Sequence, residues 1–337
     1  MVDNYCSILC IVEVELHKLQ KDTELCKKSA FAEGTYKNLK VQFVSYFLFC
    51  TYFKLPPLPT SVNILCLYGE FLSRSFKSVS SIQNYISGVK TLHLILGFDF
   101  PSEDWFSVKL LYRGLARQNP HLPHRSLPIT PDILLKMYPH LDLSDPLDAT
   151  YWCSFLFAFF LMVRKSNLVP DSTKTFDSQK QLCRKNIRVF ENYLIVYIHW
   201  SKTIQFGDRK LDIPLVKIKD SPLCPYNAFT HMCTLVPAGE DDPAFLLPNK
   251  KDVTVLTYPV FQNKLRDILQ KCNLDPSNFS SHSFRRGGAS WAFHCKVPSE
   301  LIQYHGDWRS DAYKIYLQFN FDDKLSISRA MANNLCK

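Results

Sequence analysis

Residues 186–217, NIRVFENYLIVYIHWSKTIQFGDRKLDIPLVK, change the rhythm of the chain. On either side, apolar residues recur at helical spacing. Here they alternate and are rich in Val, Ile, Phe and Tyr, as half-buried strands require. The polar stretch SKTIQFGDRK (201–210) then gives a turn before LDIPLV (211–216). About three antiparallel strands are expected. A short sheet set into a helical chain predicts a mainly α fold with a small antiparallel β-sheet (α+β).

Working toward the N-terminus, punctuation by Pro, Ser and Thr separates four helical segments. They are GTYKNLKVQFVSYFLFCTYF with Thr35 as its cap, SVNILCLYGEFLSRSF after the breaker PPLPT (56–60), VSSIQNYISGVKTLHLILGF, and SEDWFSVKLLYRGLARQ with Ser102 as its cap. An additional amphipathic helix is expected before Thr35. QNPHLPHRSLP (118–128) offers little to pack and reads as a linker. The layout is therefore a helical unit at 1–117, a linker at 118–129 and a second unit at 130–337. The second unit restarts with Thr130 as a cap and Pro131 in the first turn. Asp145 and Pro146 open the next helix, which runs through YWCSFLFAFFLMV (151–163) and ends at Arg164. After Pro225 the pattern is helical again, through the segments HSFRRGGASWAFHC, PSELIQYHG and SDAYKIYLQF.

Bulk properties narrow the class. The chain has 337 residues, 46% of them hydrophobic, enough for about two folded domains and incompatible with a disordered tail. Lys and Arg outnumber Asp and Glu by 40 to 31, and the net charge of +9 suits a polyanionic partner. The apolar run 151–163 is shorter than the roughly 20 residues a spanning helix needs, so no membrane segment is expected. The 12 cysteines lack disulfide-framework or paired CxxC spacing, and the start lacks a signal-peptide pattern. Free thiols in a reducing compartment are expected. His231 with Cys233, or His294 with Cys295, have the chemistry of metal ligands, but each pair fits an ordinary core or surface role better, and no metal site is expected.

The residues that carry chemistry form an ordered set: Arg164, Lys202, His282 with Arg285, Trp308 and Tyr316. A phosphodiester resists attack because it is anionic and its transition state gathers more charge on the non-bridging oxygens. Fixed donors aimed at those oxygens lower that barrier most. Arginine stays charged and offers a planar fork to two oxygens. His282 and Arg285, three apart, share a helix face, with Ser280 and Ser281 as cap candidates and Arg286 directed elsewhere. Gly287 and Gly288 each cost a helix about 1 kcal/mol, which calls for close approach of another backbone or of a ligand. Lys202 is placed to protonate a leaving oxygen, with Arg209 and Lys210 as competitors in the same turn. Trp308 brings one N–H donor. Tyr316 is a phenol that neighbouring cations would activate, with Tyr313 as its rival. Each residue alone also fits a bland role: helix-end arginine, solvated lysine or packing tryptophan.

As an ordered set these residues resemble the tyrosine recombinases, the lambda-integrase-type site-specific recombinases. The resemblance covers roughly residues 30–320 and is strongest at 150–170 and 280–317. HSFRR is similar to the family's His-x-x-Arg box, and GDWRSDAYKIY looks most like the eukaryotic mobile-element branch of DIRS or Crypton type. Trp308 fits the place of the family's His-or-Trp ligand, with His305 as the other possibility. Tyr316 lies eight positions beyond Trp308, where the bacterial branch tends to have one more residue.

The resemblance implies a helical, SAM-like core-binding domain followed by a catalytic domain, together a clamp around double-stranded DNA. It implies that Tyr316 attacks the scissile phosphate and forms a 3′-phosphotyrosyl link. Arg164 and Arg285 would clamp the non-bridging oxygens, with His282 and Trp308 assisting. Lys202 would protonate the departing 5′-oxygen. No ATP, metal or other cofactor, and no small-molecule substrate, is expected. A homo-tetramer on paired sites, with the tail after Tyr316 passed to a neighbour, follows from the same resemblance. So does nuclear localisation, through the substrate. The remaining readings are a domesticated DNA-binding protein with lost or weak catalysis, and a type IB topoisomerase.

Overall fold

The computed structural model describes residues 2–101, 105–121, 125–204, 209–249, 253–317 and 321–335. The chain divides into two compact units, Met1–His124 and Arg125–Lys337. Each has a core of its own.

The first unit is helical: α1 (Val2–Lys28), α2 (Glu33–Tyr52), α3 (Val62–Ser73), α4 (Val79–Leu96) and α5 (Trp105–Gln118). Ser61 caps α3 by accepting from the Ile64 amide, and Gly97 ends α4 in the left-handed conformation that glycine adopts freely. Thr35 does not cap α2. The helix starts two residues earlier, at Glu33, whose charge suits a helix N-terminus and pairs with Lys37 at 2.7 Å. The expected cap Ser102 lies outside the described residues. The core is Tyr46, Leu65, Tyr68, Ile86, Val89 and Val108, all fully buried or nearly so. One polar chain crosses it: the Tyr46 hydroxyl donates to Thr60, and the Thr60 amide donates to His93 Nε2 at 2.9 Å. These bonds satisfy groups whose burial unpaired would cost about 1–3 kcal/mol each.

The second unit comprises α6 (Pro131–Met137), α7 (Pro146–Phe160), α8 (Lys165–Leu168), β1 (Ile187–Val189), β2 (Tyr193–Ile198), β3 (Leu211–Val216), α9 (Pro225–Leu235), β4 (Leu246–Pro248), β5 (Val253–Val255), α10 (Tyr258–Lys271), α11 (Ser281–His294), α12 (Ser299–His305) and α13 (Phe321–Leu335). Thr130 and Asp145 cap α6 and α7 through their side-chain oxygens. The sheet is antiparallel in the order β1-β2-β3, with Val196 opposite Ile213 and Ile195 opposite Pro214. Pro214 has no N–H to give a ladder, and it is tolerated because β3 is an edge strand. Leu194, Val196 and Ile198 with Leu211, Ile213 and Leu215 face the core. The centre of that core is α7, buried on nearly every side: Phe155 stacks on Phe284 at 5.3 Å, and Phe157 meets Phe229 and Phe245, each at 5.6 Å.

Three details differ from the periodicity-based reading. The β4–β5 hairpin is too short to leave a period-2 signal. The segment SDAYKIYLQF is not one helix: a 3-10 helix spans Asp311–Tyr316, the chain turns extended at Leu317, and α13 begins at Phe321. Finally, α7 does not reach Arg164. It stops at Phe160 because Met162 takes a left-handed backbone (φ 51), and Arg164 instead precedes the short α8. That break at Met162 shapes the site.

Candidate active site

Helix α11 is the beam of the site, and its two central glycines fix where it lies. A Cβ on Gly287 would sit 1.7 Å from the carbonyl oxygen of Ile129, and one on Gly288 would sit 2.2 Å from that of Phe159. Another protein backbone therefore explains both glycines. With α11 seated this closely on the end of α7, Arg285 reaches the break after α7 and donates to the Met162 carbonyl.

Arg285 is 2% exposed. Its guanidinium lies over the Trp308 ring at 3.8 Å and 5.8 Å from the centre of the Tyr316 ring. Among the described residues no carboxylate forms an ion pair with it. Burial, then the charge of Arg164, push this guanidinium below its ordinary value, opposed by Tyr316 and Asp307. A buried cation compensated mainly by ring faces and a carbonyl would gain from an anion beside it.

His282 lies in the first turn of α11, which is closed by a reciprocal capping box between Ser280 and Ser283. Desolvation, followed by the charges of Arg285, Lys165, Arg164 and Arg286, pushes its imidazole below the ordinary histidine value. Four cations thus act on one ring. Two of them, Lys165 and Arg286, were not singled out for the site by sequence. Arg286 does not point away: it donates to the Ile315 carbonyl at 3.3 Å, and its guanidinium is 5.9 Å from the Tyr316 ring.

Tyr316 closes the 3-10 helix. The Ser290 hydroxyl on α11 donates to its carbonyl at 3.0 Å, so α11 holds the phenol-bearing segment directly. Tyr316 is half-buried and its ring is 5.5 Å from that of Trp308. Tyr313 is only 4% exposed, its ring 6.3 Å from that of Trp308. The same turn therefore sends one tyrosine into the core and leaves the other beside the cations.

Trp308 is buried, and among the described residues its indole Nε1–H has no hydrogen-bond partner. Gly306 permits its pose, because a Cβ there would lie 1.7 Å from the indole. His305 is differently placed. Its Nε2 donates to the Phe160 carbonyl at 2.7 Å, and burial holds the ring below its ordinary value, partly opposed by that bond. It fastens α12 to α7, while Trp308 faces Arg285.

Arg164 donates to the Asp307 carboxylate at 3.0 Å and to the Asp307 carbonyl at 3.3 Å. Asp307 is 4% exposed and also accepts from Ser201, Thr203 and Arg209. Burial pushes its carboxyl upward, but the bonds from Ser201, Thr203 and Arg164, with the Arg164 charge, outweigh this and hold it below the ordinary carboxylate value. Lys202 is exposed in the turn between Ser201 and Thr203. Of its competitors, Arg209 is committed to Asp307, and Lys210 is exposed just before β3. Residues 205–208 of this turn lie outside the described residues. Asp307 escaped the sequence reading. Its only local trace is an acid beside Trp308, and its partners are about a hundred or more positions away.

The structure thus gathers Arg164, His282, Arg285, Trp308 and Tyr316 around one spot, with Lys202 on a turn tied to Arg164 through Asp307. Among the described residues no three His, Cys, Asp or Glu side chains are grouped to hold a metal, and His231 instead bonds the Leu143 carbonyl. Among the described residues, also, no helix is long and apolar enough to cross a membrane.

No protein-family model matches the chain, and no curated protein matches it in sequence. Solved structures do match. The integrase of transposon Tn1549, in complex with transposon right end DNA, aligns with a TM-score of 0.62 at 14% identity over 94% of this chain and 98% of that one. Lambda integrase bound to DNA gives 0.55 at 14% identity, over 91% and 98%. The XerH recombinase bound to its difH substrate gives 0.55 at 15% identity, over 85% and 76%. The fold is that of the tyrosine recombinases. At these identities the match speaks to the fold, and the chemistry rests on the side chains described above.

Proposed function

We propose that this protein is a site-specific DNA recombinase that cuts and rejoins strands through a 3′-phosphotyrosyl intermediate. The observation that carries the proposal is Arg285: a buried guanidinium that has no carboxylate partner among the described residues, set over the ring of Trp308, whose N–H likewise has no partner among them, and beside the Tyr316 ring. That combination suits a phosphate diester. Arg164 and Arg285 hold the non-bridging oxygens, and Trp308 adds a third donor. Tyr316 Oη attacks phosphorus, and the phenolic proton passes to His282, whose imidazole burial and the neighbouring cations push below the ordinary histidine value. The bond from phosphorus to the 5′-oxygen breaks as Lys202 supplies that oxygen with a proton. Attack by the 5′-hydroxyl of another strand reverses the sequence. Bond energy is kept in the phosphotyrosine, so the scheme needs neither ATP nor metal.

The partner in this reading is double-stranded DNA, held largely through phosphates and therefore salt-sensitive. The unit ahead of the linker serves as its core-binding domain and the following unit as the catalytic domain. The stretch GDWRSDAYKIY resembles the eukaryotic mobile-element branch, and a nuclear site of action follows in this reading from the DNA substrate. Assembly as a tetramer through the tail has support in α13, where Phe321 and Met331 are 76% and 64% exposed.

The test is a suicide DNA substrate whose cleaved end diffuses away. The parent protein should form a covalent adduct, Tyr316→Phe should form none, and Tyr313→Phe should retain adduct formation. An adduct that persists in Tyr316→Phe and vanishes in Tyr313→Phe refutes the assignment of the nucleophile. DNA binding without an adduct in any version would favour the binding-only protein, and supercoil relaxation without strand exchange would favour the topoisomerase.

A further inference from the structure

Asp307 takes no part in the chemistry above, yet more of the site converges on it than on any catalytic group. Its backbone is left-handed (φ 55), a conformation that costs a non-glycine residue about 1 kcal/mol or more and persists only where its surroundings enforce it. One carboxylate oxygen accepts from Arg164 at 3.0 Å and from the hydroxyls of Ser201 and Thr203. The other accepts from Arg209. Its main-chain carbonyl accepts from Arg164 at 3.3 Å. Ser201 and Thr203 bracket Lys202 at one end of the segment 201–209, and Arg209 stands at the other end. A single carboxylate therefore ties the two neighbours of Lys202, and Arg209, to Arg164.

We propose that Asp307 is a positioning residue for leaving-group protonation: by pinning the Lys202 loop to Arg164, it delivers the lysine to the 5′-oxygen of the phosphate that Arg164 holds. The inference rests on the strand-transfer reading. A carboxylate is required because four donors, two of them cationic, meet its two oxygens. Asparagine has nearly the same shape but presents an N–H to donors where the second oxygen stood. Release of Ser201 and Thr203 would let the lysine between them wander, and general-acid assistance of about 10²–10⁴-fold depends on its being within hydrogen-bond reach.

Changing the leaving atom separates this role from simple support of the fold. When sulfur replaces the bridging 5′-oxygen, the phosphorus–sulfur bond breaks and a thiolate departs. A thiol titrates near about 8.5, so the thiolate needs no proton at neutral pH. The full-length Asp307→Asn variant should form adduct at least about 100-fold more slowly than the parent on the ordinary suicide substrate. On the sulfur substrate it should come within about fivefold, as should Lys202→Ala. The Ser201→Ala/Thr203→Val double variant leaves every charge in place and should show a smaller loss with the same rescue, so it decides the matter if Asp307→Asn fails to fold. Equal slowing on both substrates, or no slowing on the ordinary one, overturns the inference while leaving the strand-transfer reading intact. No adduct from the parent on either substrate overturns both.

Discussion

Gly287→Ala is the sharpest test of how α11 is seated. The new Cβ would fall 1.7 Å from the Ile129 carbonyl oxygen and 2.7 Å from its carbon, where ordinary contact begins at 3.4 Å. Either α11 or the extended segment at Ile129 must retreat by roughly 1.5 Å or more, and neither has slack. Ile129 is fully buried, its amide donates to Ser283 on α11 at 2.9 Å, and the Leu127 amide donates to the Asn278 carbonyl at 2.7 Å. Overpacking of this kind costs about 1–3 kcal/mol, and losing the buried Ile129–Ser283 bond adds about 1–3. Replacing a helical glycine returns about 1 kcal/mol. The net expectation is a loss of about 1–5 kcal/mol in the second unit. Gly114→Ala in α5 is the control: among the described residues nothing lies within 4 Å of its Cβ, so the propensity gain should stand alone and stabilise the first unit by about 0.5–1 kcal/mol. Urea titration followed by circular dichroism measures both, each read from the transition of its own unit. An unchanged or raised midpoint for Gly287→Ala would refute the close approach and the seating of Arg285 that depends on it.

Two other outcomes are expected. Trp308→Phe keeps a ring over Arg285 but removes an N–H that has no partner among the described residues, so stability should change by no more than about 1–2 kcal/mol while adduct formation falls about tenfold or more; normal adduct rates would show that the donor is idle. The His305 and His282 values are both lowered by folding, so the unfolded chain takes up protons first as pH falls below about 6.5, and each should lower stability from there by up to about 1.4 kcal/mol per pH unit. His305→Gln should remove its share of that slope in thermal melts, and an identical slope in parent and variant would reject His305 as a source.

How much was legible in the sequence depends on the range of each signal. The sheet at 187–216, the caps at Thr130 and Asp145 and the buried character of 151–163 are local, and pattern alone sufficed. Boundaries that turn on a single backbone choice were not legible. Met162 could continue α7 by propensity, but packing against Gly288 and the bond from Arg285 favour the break. Thr35 lost its place as a cap because Glu33 could start α2 sooner. The glycine pair signalled a close approach, and only the fold identified Ile129 and Phe159 as what approaches.

For the site, the sequence by itself determined the inventory: which arginines, histidine, tryptophan and tyrosines were present, and in what order. Residue type fixes charge, donor geometry and nucleophilicity, and these do not depend on where the chain goes. Tertiary structure alone decided proximity and burial. It separated Tyr313 from Tyr316 and His305 from Trp308, drew Arg286 and Lys165 toward His282, and brought Asp307 to Arg164 and the Lys202 turn. Those distinctions arise from contacts between segments far apart in the chain, where the energy of a charge is set by its neighbours in space and leaves no periodic mark in sequence.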